Sequence, residues 1–141
     1  MKNILEIVKE NGEWEIFERE VRRNYNSKDI IKNHIANMEK FFQGIEIPEN
    51  WRVEFDSDSM EFYGDLLLHL FIKNEINEYL FCFTIELDTL VERCDFTIHE
   101  LMIYVDDYNI SLGGDALEST NFSKLFKKYN ELAKIFEEVG K

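Results

Sequence analysis

Residues 80–87 have the sequence LFCFTIEL, which is the clearest strand pattern in the chain. Large apolar side chains alternate there with small or polar ones. The apolar set is Phe81, Phe83, Ile85 and Leu87, and the other set is Cys82, Thr84 and Glu86. A period of two residues is the period of a β-strand, whose successive side chains point to opposite faces of a sheet. The pattern therefore predicts a strand with one buried face.

Strand patterns continue on both sides of this stretch. Trp51, Val53 and Phe55 alternate with polar residues, and a turn is expected at residues 56–59 because aspartate and serine alternate there. Residues 66–72 are apolar on both faces except for His69, which predicts a central strand covered at least partly on both sides.

Residues 96–105 predict a fourth strand. The alternation changes phase near His99 and Glu100, which indicates a β-bulge. A short edge strand is expected at residues 109–112, before the chain turns at Gly113 and Gly114.

Helical periodicity brackets this β-region. Residues 3–10 and a segment around Trp14 and Phe17 predict two helices, and Ser27 is a candidate N-cap for a third that ends near Gly44. His34 lies on the apolar stripe of the third helix, where a hydrogen-bonded histidine at the core boundary is expected.

The C-terminal helix has the most regular apolar stripe in the chain. Its members are Phe122, Leu125, Phe126, Tyr129, Leu132, Ala133, Phe136 and Val139. The prediction is a single α+β domain, residues 1–141, with a predominantly antiparallel sheet of four to five strands. The helices of residues 1–43 and 121–140 should pack on one face of the sheet formed by residues 51–112.

Charge is distributed very unevenly along the chain. Residues 1–43 contain eight basic and eight acidic residues, and residues 122–141 contain five and three. Residues 44–121 contain three basic and eighteen acidic residues, so this segment accounts for the net charge of −13. Such an excess must stay solvated, and it steers cationic partners while repelling polyanions. Direct binding of nucleic acid is therefore not expected, because it relies on lysine and arginine at phosphates.

Several other classes of protein are disfavoured. The chain has no run of about 18 apolar residues and no signal-peptide pattern at its start, so neither a membrane span nor secretion is expected. Two cysteines, Cys82 and Cys94, are too few for a disulfide framework, which favours the cytoplasm, and both are interpreted as buried apolar residues. No motif for a metal, a cofactor or a phosphate is found, so none is predicted.

The acidic block supplies the candidate binding residues. They are Glu54, Asp56, Asp58, Glu61, Asp65, Glu86, Asp106 and Asp107. In size, charge and lack of motifs, the chain is similar in general character to immunity proteins and to phage-encoded inhibitors of defence enzymes. The leading hypothesis is a non-catalytic protein that docks and inhibits a basic partner, such as a nuclease or another nucleic-acid-handling enzyme, with nucleic-acid mimicry as the candidate mode of binding. The oligomeric state is left open.

Three alternatives remain. The first is a small enzyme or ligand-binding domain that uses the sheet face near His69 and His99, where these residues could share a face with Glu54, Glu86 or Glu100. The second is an obligate homo-oligomer with a structural role, which would require exposed aromatic surface beyond what the helices cover. The third assigns the acidic block no role beyond solubility.

Overall fold

The computed structural model describes residues 1–56, 60–62, 65–74, 80–87, 96–105 and 108–139. The helices and strands are β1 (Lys2–Asn3), α1 (Ile4–Glu10), α2 (Glu13–Asn24), α3 (Lys28–Gln43), β2 (Glu46–Ile47), β3 (Arg52–Phe55), β4 (Met60–Phe62), β5 (Asp65–Lys73), β6 (Phe81–Leu87), β7 (Phe96–Val105), β8 (Tyr108–Gly113), α4 (Gly114–Glu118) and α5 (Phe122–Val139). The predicted α+β class is confirmed, with helices at both ends of a run of antiparallel strands.

The N-terminal helices begin at residues suited to capping. The side chain of Asn3 accepts hydrogen bonds from the backbone N–H groups of Leu5 and Glu6 at the start of α1. Ser27 is the N-cap of α3, as predicted, and its hydroxyl accepts from the N–H of Ile30 at 3.4 Å. Gly12, with φ 84°, occupies the left-handed conformation that lets α2 start directly after α1.

The main sheet has the strand order β3-β5-β6-β7-β8, and all of these neighbours are antiparallel. β4 also pairs with β5, while β1 and β2 form a separate small sheet. From β5 to β8, strands that follow each other in the chain are neighbours in the sheet. The expected four to five antiparallel strands are confirmed, and β4 extends one edge.

β3 and β4 lie end to end along β5. Phe55 is paired with Leu70, and Met60 is paired with Leu67, in the same antiparallel sense. The chain therefore keeps the same direction in β3 and β4. The expected turn at residues 56–59 falls mainly on residues 57–59, which lie outside the described part.

The predicted bulge in β7 is confirmed. Glu100 is paired with Thr84 and Ile98 is paired with Ile85, so His99 is an extra residue between two consecutive partners on β6. This insertion explains why the apolar alternation of β7 changes phase at that point.

The core lies between the helices and one face of the sheet. The ring of Phe83 on β6 has its centroid 5.8 Å from that of Phe41 in α3 and 5.2 Å from that of Phe122 in α5. At the sheet edge, Phe55 on β3 stacks against Phe17 of α2 at 5.6 Å. The described helices therefore cover a single face of the sheet, as the sequence predicts.

Two residues on predicted apolar stripes are fully buried. Phe126 is 0% exposed and its ring lies 4.7 Å from that of Phe81, which confirms this part of the C-terminal stripe, whereas the side chain of Phe136 lies outside the described set. His34 is also 0% exposed and packs against Tyr25 at 4.9 Å, so it lies inside the core rather than at its boundary.

Four short elements are absent from the sequence-based prediction. β1 and β2 contain two residues each and pair with one another, β4 has three residues and α4 has five. Such elements are too short to show a periodicity. Among the helices that the structure describes, none has the length and apolar character that a bilayer crossing requires.

Candidate functional site on the open face of the sheet

The face of the main sheet opposite the helices is called the open face. Its described side chains are Arg52, Glu54, Asp56, Leu67, His69, Phe71, Lys73, Cys82, Thr84, Glu86, His99, Glu100, Met102, Tyr104, Asn109 and Ser111. Cys82 is the buried member of this set, and the others are partly or fully exposed. The open face therefore contacts solvent across the full width of the sheet.

Strand register aligns the open face in rows that cross the strands. One row has an apolar centre, formed by Phe71, Cys82 and Met102 on three consecutive strands. The next row is polar and contains His69, Thr84 and Glu100. An apolar strip that is flanked by polar and charged groups resembles the centre and rim of a protein–protein interface.

The bulge in β7 brings His99 to Glu86. The imidazole Nε2 of His99 is in hydrogen-bond contact with a carboxylate oxygen of Glu86 on the neighbouring strand β6. The Glu86 side chain is 18% exposed and the His99 side chain is 47% exposed. The imidazole therefore holds this carboxylate near the surface of the open face.

Glu100 is held by a neutral group. The hydroxyl of Ser111 on β8 donates a hydrogen bond to a carboxylate oxygen of Glu100 at 2.7 Å. A hydroxyl orients a carboxylate without neutralising its charge. Glu100 therefore presents a fixed negative charge on one of the central strands.

The thiol of Cys82 shows the effect of these charges. The pKa of Cys82 is raised from 9.0 to about 12, mainly by burial and in addition by the carboxylates of Glu100 and Asp56, which oppose a second negative charge. Both carboxylates thus act on the middle of the open face. Cys82 is buried, as predicted, whereas Cys94 lies outside the described residues.

The basic side chains of the open face lie at one end of it. Lys73 is paired in register with Arg52, and its ammonium group lies 2.7 Å from a carboxylate oxygen of Glu54. Asp56, Glu86 and Glu100 lie farther along the strands, beyond the apolar row. The open face is therefore basic at one end and acidic over the remainder.

The structure places the predicted binding residues unevenly. Glu54, Asp56 and Glu86 share the open face with Glu100. Glu61 and Asp65 lie on β4 and β5, where only their backbone pairing with Leu66 and Phe62 is described. Three further candidates lie outside the described residues, namely Asp58, Asp106 and Asp107.

The two histidines on the strands have separate neighbours and do not converge on one site. His69 is adjacent to Phe71 along β5, with ring centroids 6.3 Å apart, and His99 contacts Glu86. Across the described ranges, no group of three histidine, cysteine or carboxylate side chains is arranged to bind a metal ion.

A second surface lies on the helical layer and was missed by the sequence reasoning. It is an open groove of about 500 Å³ between α2 and α3, lined by Glu18, Arg22, Lys28, Ile31, Lys32, Ile35, Ala36 and Glu39. The spacing of Arg19, Arg22 and Arg23 at one end of α2, followed by Lys28 and Lys32, was the available signal. The helical layer separates these cations from the open face, so they do not neutralise its carboxylates.

No protein-family model matches this chain, and searches of curated proteins and of solved structures also find no match.

Proposed function

We propose that this chain is a non-catalytic acidic binding protein whose open face docks a basic partner protein and blocks it. The partner is a nuclease or another nucleic-acid-handling enzyme. The observation that carries the proposal is the way in which Glu86 and Glu100 are held. Their hydrogen-bond partners are His99 and the Ser111 hydroxyl, so within the described part of the chain the two carboxylates are oriented on the open face without a lysine or arginine as partner.

Oriented carboxylates suit a cationic cleft because the partner supplies the charge that the chain lacks. In residues 44–121 there are eighteen acidic residues and three basic ones, and two of the basic ones, Arg52 and Lys73, lie at one end of the open face. A cleft that binds nucleic acid is lined by lysine and arginine. Carboxylates repeated across neighbouring strands can occupy such a cleft in place of phosphates.

The apolar row adds the buried apolar contacts that a purely charged surface would lack. Phe71 and Met102 are partly exposed at the centre of the open face. Charged groups at the rim mainly raise the association rate, whereas buried aromatic and aliphatic contacts at the centre mainly slow dissociation. The open face carries both kinds of group, which supports a protein partner rather than a small ligand.

The proposal is tested with two variants of equal charge. The first, E54Q/D56N/E86Q/E100Q, neutralises the open face, and the second, E6Q/E15Q/E118Q/E131Q, neutralises four exposed carboxylates on the helices. Each variant and the wild-type chain are immobilised and exposed to a lysate of the source cells at low and high salt. We expect the wild-type chain and the helix variant to retain a basic protein at low salt, and the open-face variant to lose it.

The retained protein is then purified, and its nucleic-acid-processing activity is measured with each chain added. The wild-type chain should inhibit it, and its association rate at low salt should exceed that of the open-face variant by about 10- to 1,000-fold. Equal retention by both variants, or retention without inhibition, would contradict the proposal.

The second candidate is a small enzyme or ligand-binding domain centred on His69 and His99. The contact between His99 and Glu86 at a β-bulge favours it, because bulges are common beside active sites. Under the leading proposal, His69→Gln should leave partner binding unchanged, and so should His99→Gln, because the glutamine amide can still donate a hydrogen bond to Glu86. The purified protein should contain no stoichiometric transition metal. A metal found by elemental analysis and lost in either variant would favour the second candidate.

A further inference from the structure

β8 forms one edge of the main sheet. Among the described strands it pairs only with β7, and its residues Asn109, Ile110 and Ser111 are exposed. Ile110 is 50% exposed, more than any other large apolar side chain in the described part of the chain. The strand sequence, YNISLG, contains no charged residue and no proline. β8 therefore lacks the usual features that prevent an edge strand from pairing with another chain.

The hydrogen-bond pattern shows which backbone groups of β8 point outward. The N–H of Tyr104 on β7 donates to the carbonyl oxygen of Leu80, toward β6. In an antiparallel ladder the direction alternates with each residue, so Ile103 and Leu101 point toward β8 and bond with Ile110 and Leu112. The N–H and C=O groups of the alternate residues of β8 consequently face away from the sheet. These residues are Asn109, Ser111 and Gly113.

The opposite edge of the sheet is closed by side chains. The amide of Asn11 donates to the carbonyl oxygen of Val53 at 2.9 Å, and the carboxylate of Glu13 accepts from the N–H of Phe55 at 2.8 Å. β3 also displays the charged side chains of Arg52 and Glu54 at this edge. No described group makes a corresponding hydrogen bond to the outward backbone groups of β8. The two edges of the sheet therefore differ in their capacity to accept another strand.

We propose that β8 pairs in antiparallel fashion with β8 of a second copy of this chain, across a twofold axis at Ser111. In this register Ser111 faces its own counterpart, and Asn109 faces Gly113. All three outward-facing residues then bond in each copy, which gives about six hydrogen bonds between the chains. Ile110 lies beside Leu112 of the second copy and loses its exposure to water.

A second copy suits this edge better than an unrelated strand for two reasons. A twofold axis makes the same strand both donor and acceptor, so one short sequence provides both halves of the contact. The paired segment, residues 109–113, also contains no charged residue, so this register places no carboxylate opposite another within it.

Salt distinguishes this contact from the docking of a basic partner. Two chains with a net charge of −13 each repel at low ionic strength. The Debye length falls from about 30 Å at 0.01 M salt to about 8 Å at 0.15 M, which screens that repulsion but leaves backbone hydrogen bonds intact. Pairing through β8 should therefore strengthen as salt is added, whereas docking through the open face should weaken.

The test is sedimentation velocity over a range of protein and salt concentrations, on the wild-type chain and three variants. Ser111→Pro removes an outward N–H without removing a bond of the β7–β8 ladder, and Ile110→Lys places a charge at the contact. Leu132→Lys is the matched control, because Leu132 is a comparably exposed apolar residue, at 43%, that lies on α5 and not on β8. We expect the wild-type chain and the control to dimerise, and both β8 variants to dimerise about 10- to 100-fold more weakly.

Amide hydrogen exchange gives a second and independent readout. The N–H groups of Ile110 and Leu112 should be protected at every concentration, because they bond to β7. Those of Asn109, Ser111 and Gly113 should gain protection only as the chain dimerises. A wild-type chain that stays monomeric at its highest soluble concentration would overturn the proposal. So would a dimer in which these three amides exchange as fast as in the monomer.

Discussion

The two faces of the main sheet are formed by the same strands but differ in what covers them. On β6, Phe83 is fully buried beneath α3 and α5, while the next residue, Thr84, lies partly exposed between His69 and Glu100. One face of the sheet is covered by aromatic side chains of the helices, and the other carries most of the charged side chains of the sheet. Stability and recognition can therefore depend on different residues of a single strand, because successive side chains never share a face.

This separation has a consequence for the open face. A carboxylate that contributes little to folding can be replaced without unfolding the chain, so its contribution to binding can be measured directly. Binding cannot be measured separately from folding on the face beneath the helices, because a substitution there also changes the packing of the core. Substitutions at adjacent residues of β6, which point to opposite faces, test this difference between the faces.

The largest expected effect is the loss of stability in Phe83→Ala. Its ring packs against Phe41, Phe42 and Phe122 at centroid distances of 5.2–5.8 Å, and removing it leaves a cavity that these helices cannot fill. We expect a cost of about 3–5 kcal/mol in the free energy of unfolding, measured by chemical denaturation. Thr84→Ala, one residue away on the other face, should cost less than about 1 kcal/mol. Similar losses at both positions would show that the open face is also covered.

The sequence predicted the fold well where a pattern repeats. The alternation on β3 and β6 and the apolar stripe that contains Phe126 each extend over enough residues to define a period. The phase change in β7 was informative for the same reason, since one extra residue shifts every later side chain to the other face. Elements of two to five residues, such as β1 and α4, could not be predicted, because they depend on pairing and packing with distant parts of the chain.

The candidate site was predictable only in part. Alternation places Glu54 and Glu86 on the face away from the core, but it does not say which strands are neighbours. The contact of Glu100 with Ser111 depends on the pairing of β7 with β8, and that of His99 with Glu86 depends on the bulge beside β6. Such contacts follow from register, which a single sequence does not specify when several arrangements of the strands bury the same apolar residues.

A smaller expected effect concerns Cys82, which is the exception to the comparison because it lies on the open face and is only 4% exposed. Burial and the nearby carboxylates of Glu100 and Asp56 raise the pKa of its thiol to about 12. At pH 8 the folded protein should therefore react with iodoacetamide about 1,000-fold more slowly than the unfolded protein, because the thiolate is the reactive form. The measurement uses a Cys94→Ala background, so that a single thiol is followed by mass spectrometry.

The same shift makes the stability of the protein depend on alkaline pH. Between pH 9.0 and about pH 12 the unfolded thiol has lost its proton while the folded thiol keeps it, so the unfolded state binds fewer protons and stability falls as the pH rises. The contribution of Cys82 is complete below pH 9 and is lost at up to about 1.4 kcal/mol per pH unit above it. Other groups titrate in this range, so the effect is measured as the difference in slope between the Cys94→Ala protein and the same protein with Cys82→Ala. Equal slopes, together with fast alkylation of the folded protein, would show that Cys82 is in contact with water and that the whole open face is solvated.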